Sequence, residues 1–253
     1  MTNILISFNL PFFSFVIPTY HSEESIKDTL SSIISQSFTD FEILIIDAMS
    51  SDNTLKAIKS FKDLRIRIIS ESDKGVYDAM NKGISQARGE WLLFLGSDDN
   101  LHNNDVLKKA AEFLKNASQP VVYGNTEVEG DVSWAKGEKI YGGKFSLYRL
   151  LRRNICHQAI FYKREFLLKN NLTYNLSYPI SADWDFNLRA WLIQPFQYYP
   201  GIISYFTAGG ISSGGRDDGF QQSIPTLYKK YYNNPYTNPI SRFFFGLYKN
   251  LRK

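Results

Sequence analysis

The 253-residue sequence has little of what marks an exported or membrane-spanning protein. It contains one cysteine, Cys156, which cannot form an internal disulfide, so the fold cannot depend on an oxidising compartment. No apolar run approaches the roughly 18 residues that span a bilayer. The N-terminal stretch 1–13 lacks a basic leading segment and a small-residue cleavage site, and we expect it to lead into a strand. These absences predict a cytoplasmic protein, either soluble or peripherally bound to a membrane.

Two common phosphate-binding motifs are also missing. The spaced glycines of dinucleotide-binding enzymes should follow the first strand, but PTYHSEES stands there, and no P-loop lysine motif occurs. A phosphatase of the doubly wound class would need a nucleophilic aspartate where Pro18, Thr19 and Tyr20 stand. Nothing resembles a nucleic-acid-binding module, and the net charge of +4 suits an anionic small molecule or an anionic surface.

Apolar runs alternate with segments of helical spacing in the first half of the chain. Because the runs are apolar throughout, they are typical of parallel strands that are buried on both faces. The predicted strands are 15–17, 41–46, 65–70 and 90–95, with a fifth at 121–123, and the predicted helices start near 22, 54 and 76. This alternation predicts an α/β fold with a mostly parallel, Rossmann-like sheet flanked by helices.

Polar residues stand where the predicted strands end. They are Pro18-Thr19-Tyr20, Asp47, Asp73-Lys74 and Asp98-Asp99. Since ligands of such sheets bind at the carboxyl ends of the strands, we expect these residues to share one edge. After about Asn125 the chain becomes richer in aromatic and basic residues, yet no linker or repeat appears. We therefore predict one domain with two unequal lobes and a binding cleft between them.

The adjacent carboxylates of Asp98 and Asp99 repel each other and need a compensating charge. A hard divalent cation, Mn²⁺ or Mg²⁺, would bind these oxygens and could neutralise a diphosphate leaving group. The alternative is structural, since Asp98-Asp99-Asn100 could form a turn and then cap the helix that bears Val106.

Four sequence blocks, taken in order, resemble the family 2 glycosyltransferases, which have the GT-A fold. The blocks are FSFVIPTYHSEESI, FEILIIDAMSSDNT, SDKGVYDAMNKGISQARGEWLLFLGSDD and ISADWDFNLR, and the resemblance extends over residues 14–215. It is strongest to bacterial enzymes that build surface polysaccharides. It implies a metal-dependent hexosyl- or N-acetylhexosaminyltransferase that uses a nucleotide-diphosphate sugar, with a UDP-sugar expected, and inverts the anomeric carbon. Residues 14–125 would bind the nucleotide-sugar, 126–215 the acceptor, and 216–253 would form a helical tail.

The resemblance also assigns roles to single residues on the donor side. Pro18, Thr19 and Tyr20 would lie beside the base and ribose, and Asp47 would accept a hydrogen bond from the base. Asp98 would face the ribose, and Asp99 would bind the metal. Four further residues would line the donor pocket; they are Lys74, Tyr77, Asp78 and Asn81.

On the acceptor side, the family usually has Glu-Asp at a helix start, and Ala182-Asp183 stands here. Asp183 is therefore the expected catalytic base, and Asp185 is the second candidate. Residues two apart on a helix point in different directions, so only one of the two can face the cleft. An aspartate at this position could instead be a helix cap. His157 and Gln158 are expected near the acceptor, although a histidine held by backbone at a strand start is an equal alternative.

The remaining alternatives concern function, one loop and the C-terminal tail. The missing glutamate before Asp183 favours a second hypothesis, a sugar-nucleotide-binding protein without turnover. Residues 209–212 could form a flexible loop near the diphosphate or a simple turn. In the tail, 239–253, aromatic and aliphatic residues at helical spacing share one face, and the basic residues lie largely off that face. This pattern is typical of a segment at an anionic membrane, and also of a final helix that packs on the protein core. The resemblance implies a saccharide or lipid-linked saccharide acceptor, and a lipid-linked acceptor favours the membrane.

Overall fold

The computed structural model describes residues 10–130, 135, 137–207 and 217–232. The predicted loop at 209–212 and the predicted membrane segment at 239–253 lie outside these ranges. Among the residues that are described, no helix is both long enough and apolar enough to cross a membrane.

The described chain forms strands and helices that alternate through most of its length. The strands are β1 Phe13–Thr19, β2 Phe41–Asp47, β3 Ile66–Ser70, β4 Trp91–Phe94, β5 Asn100–Leu101, β6 Val121–Glu129, β7 Ile140–Tyr141, β8 Ile160–Lys163 and β9 Gln197–Thr207. The helices are α1 Ile26–Ile34, α2 Thr54–Lys59, α3 Val76–Gln86, α4 Val106–Leu114, α5 Leu147–Leu150, α6 Arg164–Lys169, α7 Ala182–Ile193 and α8 Asp218–Tyr232. A short 3-10 turn, His157–Ala159, precedes β8.

One sheet contains all of these strands, in the order β3-β2-β1-β4-β8-β6-β9-β5, with β7 added beside β6. Strands β1 to β4 are parallel to one another. Strand β8 runs antiparallel to both β4 and β6, so β6 and its parallel neighbour β9 point the same way as β1 to β4. The carboxyl ends of six strands therefore meet at one edge, where β8 begins.

Alternate residues of the central strands pack on opposite faces of the sheet. Val16 and Leu44 belong to the core that α3 and α7 cover. Phe15 and Ile45, their neighbours in sequence, belong to the second core, beneath α1, α2 and α4. Because both faces are covered, these strands need apolar side chains at every position, which is why their sequences show continuous apolar runs.

The predicted α/β architecture is confirmed, with shifts at element ends. The helix predicted near Ser22 begins at Ile26, because the Ser22 carbonyl accepts the Ile26 amide in a preceding turn. The structural alternative for Asp98-Asp99-Asn100 is half right. The chain turns there, but Asn100 starts β5, and α4 begins only at Val106 after Asp105.

A stack of aromatic rings joins α3 to α7. The rings of Tyr77 and Tyr174 stack with centroids 5.4 Å apart, and Tyr174 stacks on Phe186 at 4.3 Å. Stacked aromatic pairs of this kind contribute about 1 kcal/mol each beyond the area that they bury. The stack sets the position of the start of α7 relative to the first half of the sheet.

Close contact between α3 and β1 leads to a test of the packing. A Cβ atom on Gly83 would lie 2.1 Å from Cγ1 of Val16, which is fully buried. We expect Gly83→Ala to lower the free energy of unfolding by about 1–3 kcal/mol, although alanine favours helix. Chemical denaturation measures the effect, and Ser85→Ala, an exposed change in the same helix, is the control. Adding Val16→Ala should recover part of the loss, and a fully additive double variant would contradict this account.

Candidate functional site

The predicted edge of the sheet opens into a cleft of about 1120 Å³. The ends of β1 and β4 form one wall, with the loop that leads into α3. The rest of the lining includes residues 152–158, the start of α7 and two residues at the start of the C-terminal helix, Asp217 and Gln221. The cleft thus lies between the parts of the chain that were expected to bind donor and acceptor.

Pro18, Thr19 and Tyr20 all line the cleft, as expected from their position after β1. Thr19 is buried, and its hydroxyl donates to the Ile17 carbonyl at 3.1 Å. The Tyr20 ring is 61% exposed and stacks on the ring of His21 with centroids 4.0 Å apart. This pair presents a flat aromatic surface at the mouth of the cleft, a suitable surface for a base.

Asp47 does not line the cleft, although its neighbour Ala48 does. The Asp47 side chain is fully buried and accepts the Ser50 amide at 3.1 Å and the Ser70 hydroxyl at 2.6 Å. These contacts hold the loop after β2 and tie it to the end of β3. For Asp47 to accept a hydrogen bond from a base, this arrangement would have to open.

Three residues expected in the donor pocket lie outside the cleft lining. Lys74 is exposed, and Asp78 accepts the Lys74 backbone amide at 3.0 Å at the start of α3. The Asn81 side chain donates to the Tyr174 carbonyl at 3.0 Å and accepts the Tyr174 amide at 2.7 Å. Asp78 and Asn81 are thus occupied by the fold, whereas Tyr77, from the same block, does line the cleft.

Asp98 and Asp99 both face the cleft but differ in exposure. Asp98 is exposed, whereas Asp99 is 6% exposed and accepts the Gly96 amide at 3.0 Å and the Gln158 amide at 3.4 Å. Burial, together with the Asp98 charge, raises the pKa of Asp99 to about 6. Gly96 has no room for a side chain, because a Cβ atom would lie 2.7 Å from the Asp99 carboxylate.

His157 and Gln158 lie opposite the two aspartates, in the turn that leads into β8. His157 Nδ1 is 3.7 Å from Asp183 Oδ2. Burial alone would lower the pKa of His157, but the nearby carboxylates of Asp183, Asp99 and Asp98 outweigh it and raise the pKa. A protonated His157 would place one positive charge among three carboxylates. The alternative, a histidine whose ring has only backbone partners, does not account for the contact with Asp183.

Asp183 lines the cleft from the first turn of α7. Its Oδ1 accepts the Trp184 amide at 2.8 Å, and its Oδ2 accepts the Asn154 side-chain amide at 2.8 Å. The Tyr77 hydroxyl lies 3.3 Å from Oδ1 but is closer to the Ile180 carbonyl, at 2.5 Å. The N-cap residue of α7 is Ser181, so Asp183 is not the cap; its carboxylate accepts one amide of the first turn and also lines the cleft.

Asp185 points away from the cleft, as the helical geometry required of one member of the pair. It is buried, and its Oδ2 accepts Arg189 Nε at 2.8 Å. The Arg189 guanidinium also donates to the Thr173 carbonyl at 2.6 Å. Asp185 is thus held in an ion pair on another side of α7.

The sequence did not single out Asn154 or Asp217, and both line the cleft. The buried Asp217 carboxylate accepts the backbone amides of Ile180 and Ser181 before α7, at 3.3 and 3.2 Å, and that of Phe220 in α8 at 3.1 Å. It joins the starts of two helices. The only sequence signal for it was an aspartate directly before a helix, which is too common to select a residue.

The residues at the end of β4 fit a divalent cation. The buried Asp99 carboxylate accepts one short and one long hydrogen bond, and the Asp98 charge lies beside it, in an ion pair with none of the described side chains. Within the described ranges, no group of three or more His, Cys, Asp or Glu residues could hold a metal by itself. One or two carboxylates suffice where phosphate oxygens and water complete the coordination, as for Mg²⁺ with nucleotides.

Comparison with known proteins agrees with this geometry. Residues 14–176 match the family described as Glycosyl transferase family 2. A PGL/p-HBAD biosynthesis glycosyltransferase of Mycobacterium bovis is 40% identical over 224 residues, which are 85% of this chain and 84% of the relative.

Solved structures share the fold at lower sequence identity. TarS 1-349 of Staphylococcus aureus in complex with UDP-GlcNAc superposes with a TM-score of 0.68 at 23% identity, over 88% of this chain and 66% of that one. The mannosyltransferase PcManGT of Pyrobaculum calidifontis, in complex with GDP-Man and Mn²⁺, has a TM-score of 0.62 at 17% identity, over 92% and 73%. This chain thus spans about two thirds of the TarS fragment.

The raised pKa of Asp99 predicts a pH-dependent cost in the metal-free protein. Because the pKa of Asp99 is higher in the native state than in the unfolded chain, protonation of Asp99 stabilises the native state. This stabilisation is complete below about pH 4 and is lost as the pH rises through about 6. We expect Asp99→Asn, in the presence of a chelator, to be more stable than wild type at pH 7.5, by at most about 3 kcal/mol, and the difference to vanish near pH 4.

Urea unfolding at both pH values measures this difference, and Asp28→Asn, an exposed change on α1 outside the cleft lining, is the control. A variant less stable than wild type at pH 7.5 would show that the Asp99 carboxylate is structural.

Proposed function

Because the chain belongs to glycosyl transferase family 2, we propose that it is an inverting enzyme that uses a UDP-sugar. The sugar, a hexose or N-acetylhexosamine, would pass to a hydroxyl of a saccharide acceptor in bacterial polysaccharide or glycolipid biosynthesis. One observation carries the proposal: the paired carboxylates after β4 and the Asp183 carboxylate, from separate parts of the chain, line one cleft. That is the arrangement needed to bind a charged donor on one side and deprotonate an acceptor on the other.

On the donor side, the nucleotide base would lie against Tyr20 and the ribose beside Asp98. Asp99, with Asp98, would hold Mn²⁺ or Mg²⁺, which when bound neutralises the diphosphate charge and so favours its departure. Gln158 donates to Asp99 Oδ1 and keeps that carboxylate turned towards the cleft. A protonated His157 would add positive charge to the cleft, where a diphosphate would lie.

On the acceptor side, Asp183 would accept the proton of the attacking hydroxyl. The oxygen of that hydroxyl forms the new bond to the anomeric carbon, and the bond from this carbon to the diphosphate breaks. Each Asp183 oxygen accepts one short hydrogen bond from the protein, so each keeps a lone pair for the acceptor proton.

The alternative, a sugar-nucleotide-binding protein without turnover, is less well supported. It rested on Ala182, where the family usually has glutamate. Ala182 is fully buried in the core beneath α7, so a residue at this position does not face the cleft. The carboxylate that does face it, Asp183, is retained.

Substitution of the base tests the proposal. We expect Asp183→Asn to lower kcat by about 10²- to 10⁴-fold, because an amide cannot accept the proton. UDP binding in the presence of Mn²⁺ should remain within about twofold, since the donor wall is untouched. A coupled assay with a panel of UDP- and GDP-sugars gives kcat, and titration calorimetry gives UDP affinity.

Asp185→Asn is the matched control, two residues along the same helix and outside the cleft, and it should keep its kcat. An active Asp183→Asn beside an inactive Asp185→Asn would refute the assignment. If Asp99→Ala or a chelator leaves UDP binding unchanged, the proposed metal dependence is wrong.

We further propose a lipid-linked saccharide as acceptor and contact with the anionic inner face of the membrane through the tail. Exposed Arg152 at the cleft would favour an anionic carrier. We expect deletion of residues 240–253 to abolish co-sedimentation with phosphatidylglycerol vesicles while UDP binding persists. Vesicle binding at low salt should weaken strongly when the basic residues are neutralised together and the aromatic residues are kept; they are Arg242, Lys249, Arg252 and Lys253. Wild-type protein that ignores such vesicles would end this proposal.

A further inference from the structure

Three hydrogen bonds form a chain that runs from the centre of the sheet to Asp183. The Tyr162 hydroxyl, on β8, donates to Asn187 Oδ1, on α7, at 2.5 Å. Asn187 Nδ2 donates to Asn154 Oδ1 at 2.9 Å, and Asn154 Nδ2 donates to Asp183 Oδ2 at 2.8 Å. The chain joins a strand, a helix and the loop that forms one wall of the cleft.

The inner members of this chain lie where polar groups are costly. Tyr162 is 1% exposed and Asn187 is fully buried, with the rings of Phe94 and Phe186 against Tyr162. A buried amide or phenol is unfavourable unless its hydrogen bonds are made, and apolar side chains would fill the same volume more cheaply. Burial, and then the Asp183 charge, raises the pKa of Tyr162 well above its ordinary value, so the phenol remains a donor.

The direction of the chain follows from its outer end. An ionised carboxylate only accepts hydrogen bonds, so Asn154 must present its NH₂ group to Asp183 and its oxygen to Asn187. Asn187 must then present its own NH₂ group to Asn154 and its oxygen to Tyr162, which donates. Reversing Asn154 would break two bonds, and reversing Asn187 would break its bond to Asn154, so the chain is complete in only one arrangement while Asp183 is charged.

The chain also limits how the carboxylate can rotate. Oδ2 is held by Asn154, and Oδ1 is held by the Trp184 backbone amide. The Tyr77 hydroxyl has one proton, and its nearer acceptor is the Ile180 carbonyl. Two side chains lie close enough to donate to Asp183, the Asn154 amide and the Tyr77 hydroxyl. Of these, Asn154 makes the shorter hydrogen bond, and Asn187 in turn orients Asn154.

We propose that Tyr162, Asn187 and Asn154 are positioning residues, whose one-directional hydrogen-bond chain aims the Asp183 carboxylate at the acceptor hydroxyl. The inference rests on the proposed function of Asp183 as base. None of the three would exchange a proton with the substrate. Their effect is on the orientation of the base, which must hold the attacking hydroxyl in line with the anomeric carbon.

A double-mutant cycle separates this role from a structural one. We expect Asn154→Ala to lower kcat by about tenfold or more and Tyr162→Phe by a few-fold, with UDP affinity unchanged, because only the orientation of the base is lost. In the Asn154→Ala background, Tyr162→Phe should have no further effect on kcat, since it acts through Asn154. Asn154→Asp, which keeps the shape but removes the donor, should not restore activity.

Tyr198→Phe is the matched control, because the Tyr198 hydroxyl also donates to an asparagine, Asn125 at 3.1 Å, away from the cleft lining. It should leave kcat unchanged. Additive effects of Tyr162→Phe and Asn154→Ala on kcat, or unchanged kcat in both, would overturn the inference if Asp183→Asn is inactive. Turnover by Asp183→Asn would instead refute the proposed base, and this inference with it. Melting temperatures identify any variant that loses kcat through misfolding.

Discussion

The antiparallel pairing of β8 with β4 is the constraint on which the site depends. The register places Leu93 opposite Phe161 and Leu92 opposite Tyr162. Because the strands run in opposite directions, the end of β4 lies beside the start of β8. Residues far apart in sequence thus meet at one edge, where the Gln158 amide contacts Asp99. A parallel strand at this position would have sent the His-Gln pair to the opposite edge of the sheet.

The same pairing explains how like charges are tolerated in one cleft. Asp98, Asp99 and Asp183 converge there, and His157, which precedes β8, lies among them. Among these groups, His157 and the buried Asp99 both have a raised pKa. Perturbed pKa values that cluster in a cleft are typical of binding sites.

Sequence reasoning predicted the parts of the fold and site that depend on local pattern. The strands β1 to β4 are buried on both faces, so their apolar runs were visible, and Asp98-Asp99 followed from the end of such a run. Asn81 was expected to line the donor pocket, but its side chain contacts the backbone of Tyr174 instead. The sequence does not distinguish a polar helix residue that holds the fold from one that binds a ligand. The contact between Asn154 and Asn187 was beyond prediction, since it depends on how separate segments pack, and α7 has buried polar residues that hide its helical periodicity.

The bridge made by Asp217 has a consequence for biosynthesis of the protein. This carboxylate is the partner of two amides that precede α7, so the wall bearing Asp183 is completed by a residue near the end of the described chain. During translation, β1 to β4 and the paired aspartates leave the ribosome long before Asp217 does. The part of the cleft that bears Asp183 is therefore completed late in synthesis, after the strands that lead to the paired aspartates have been made.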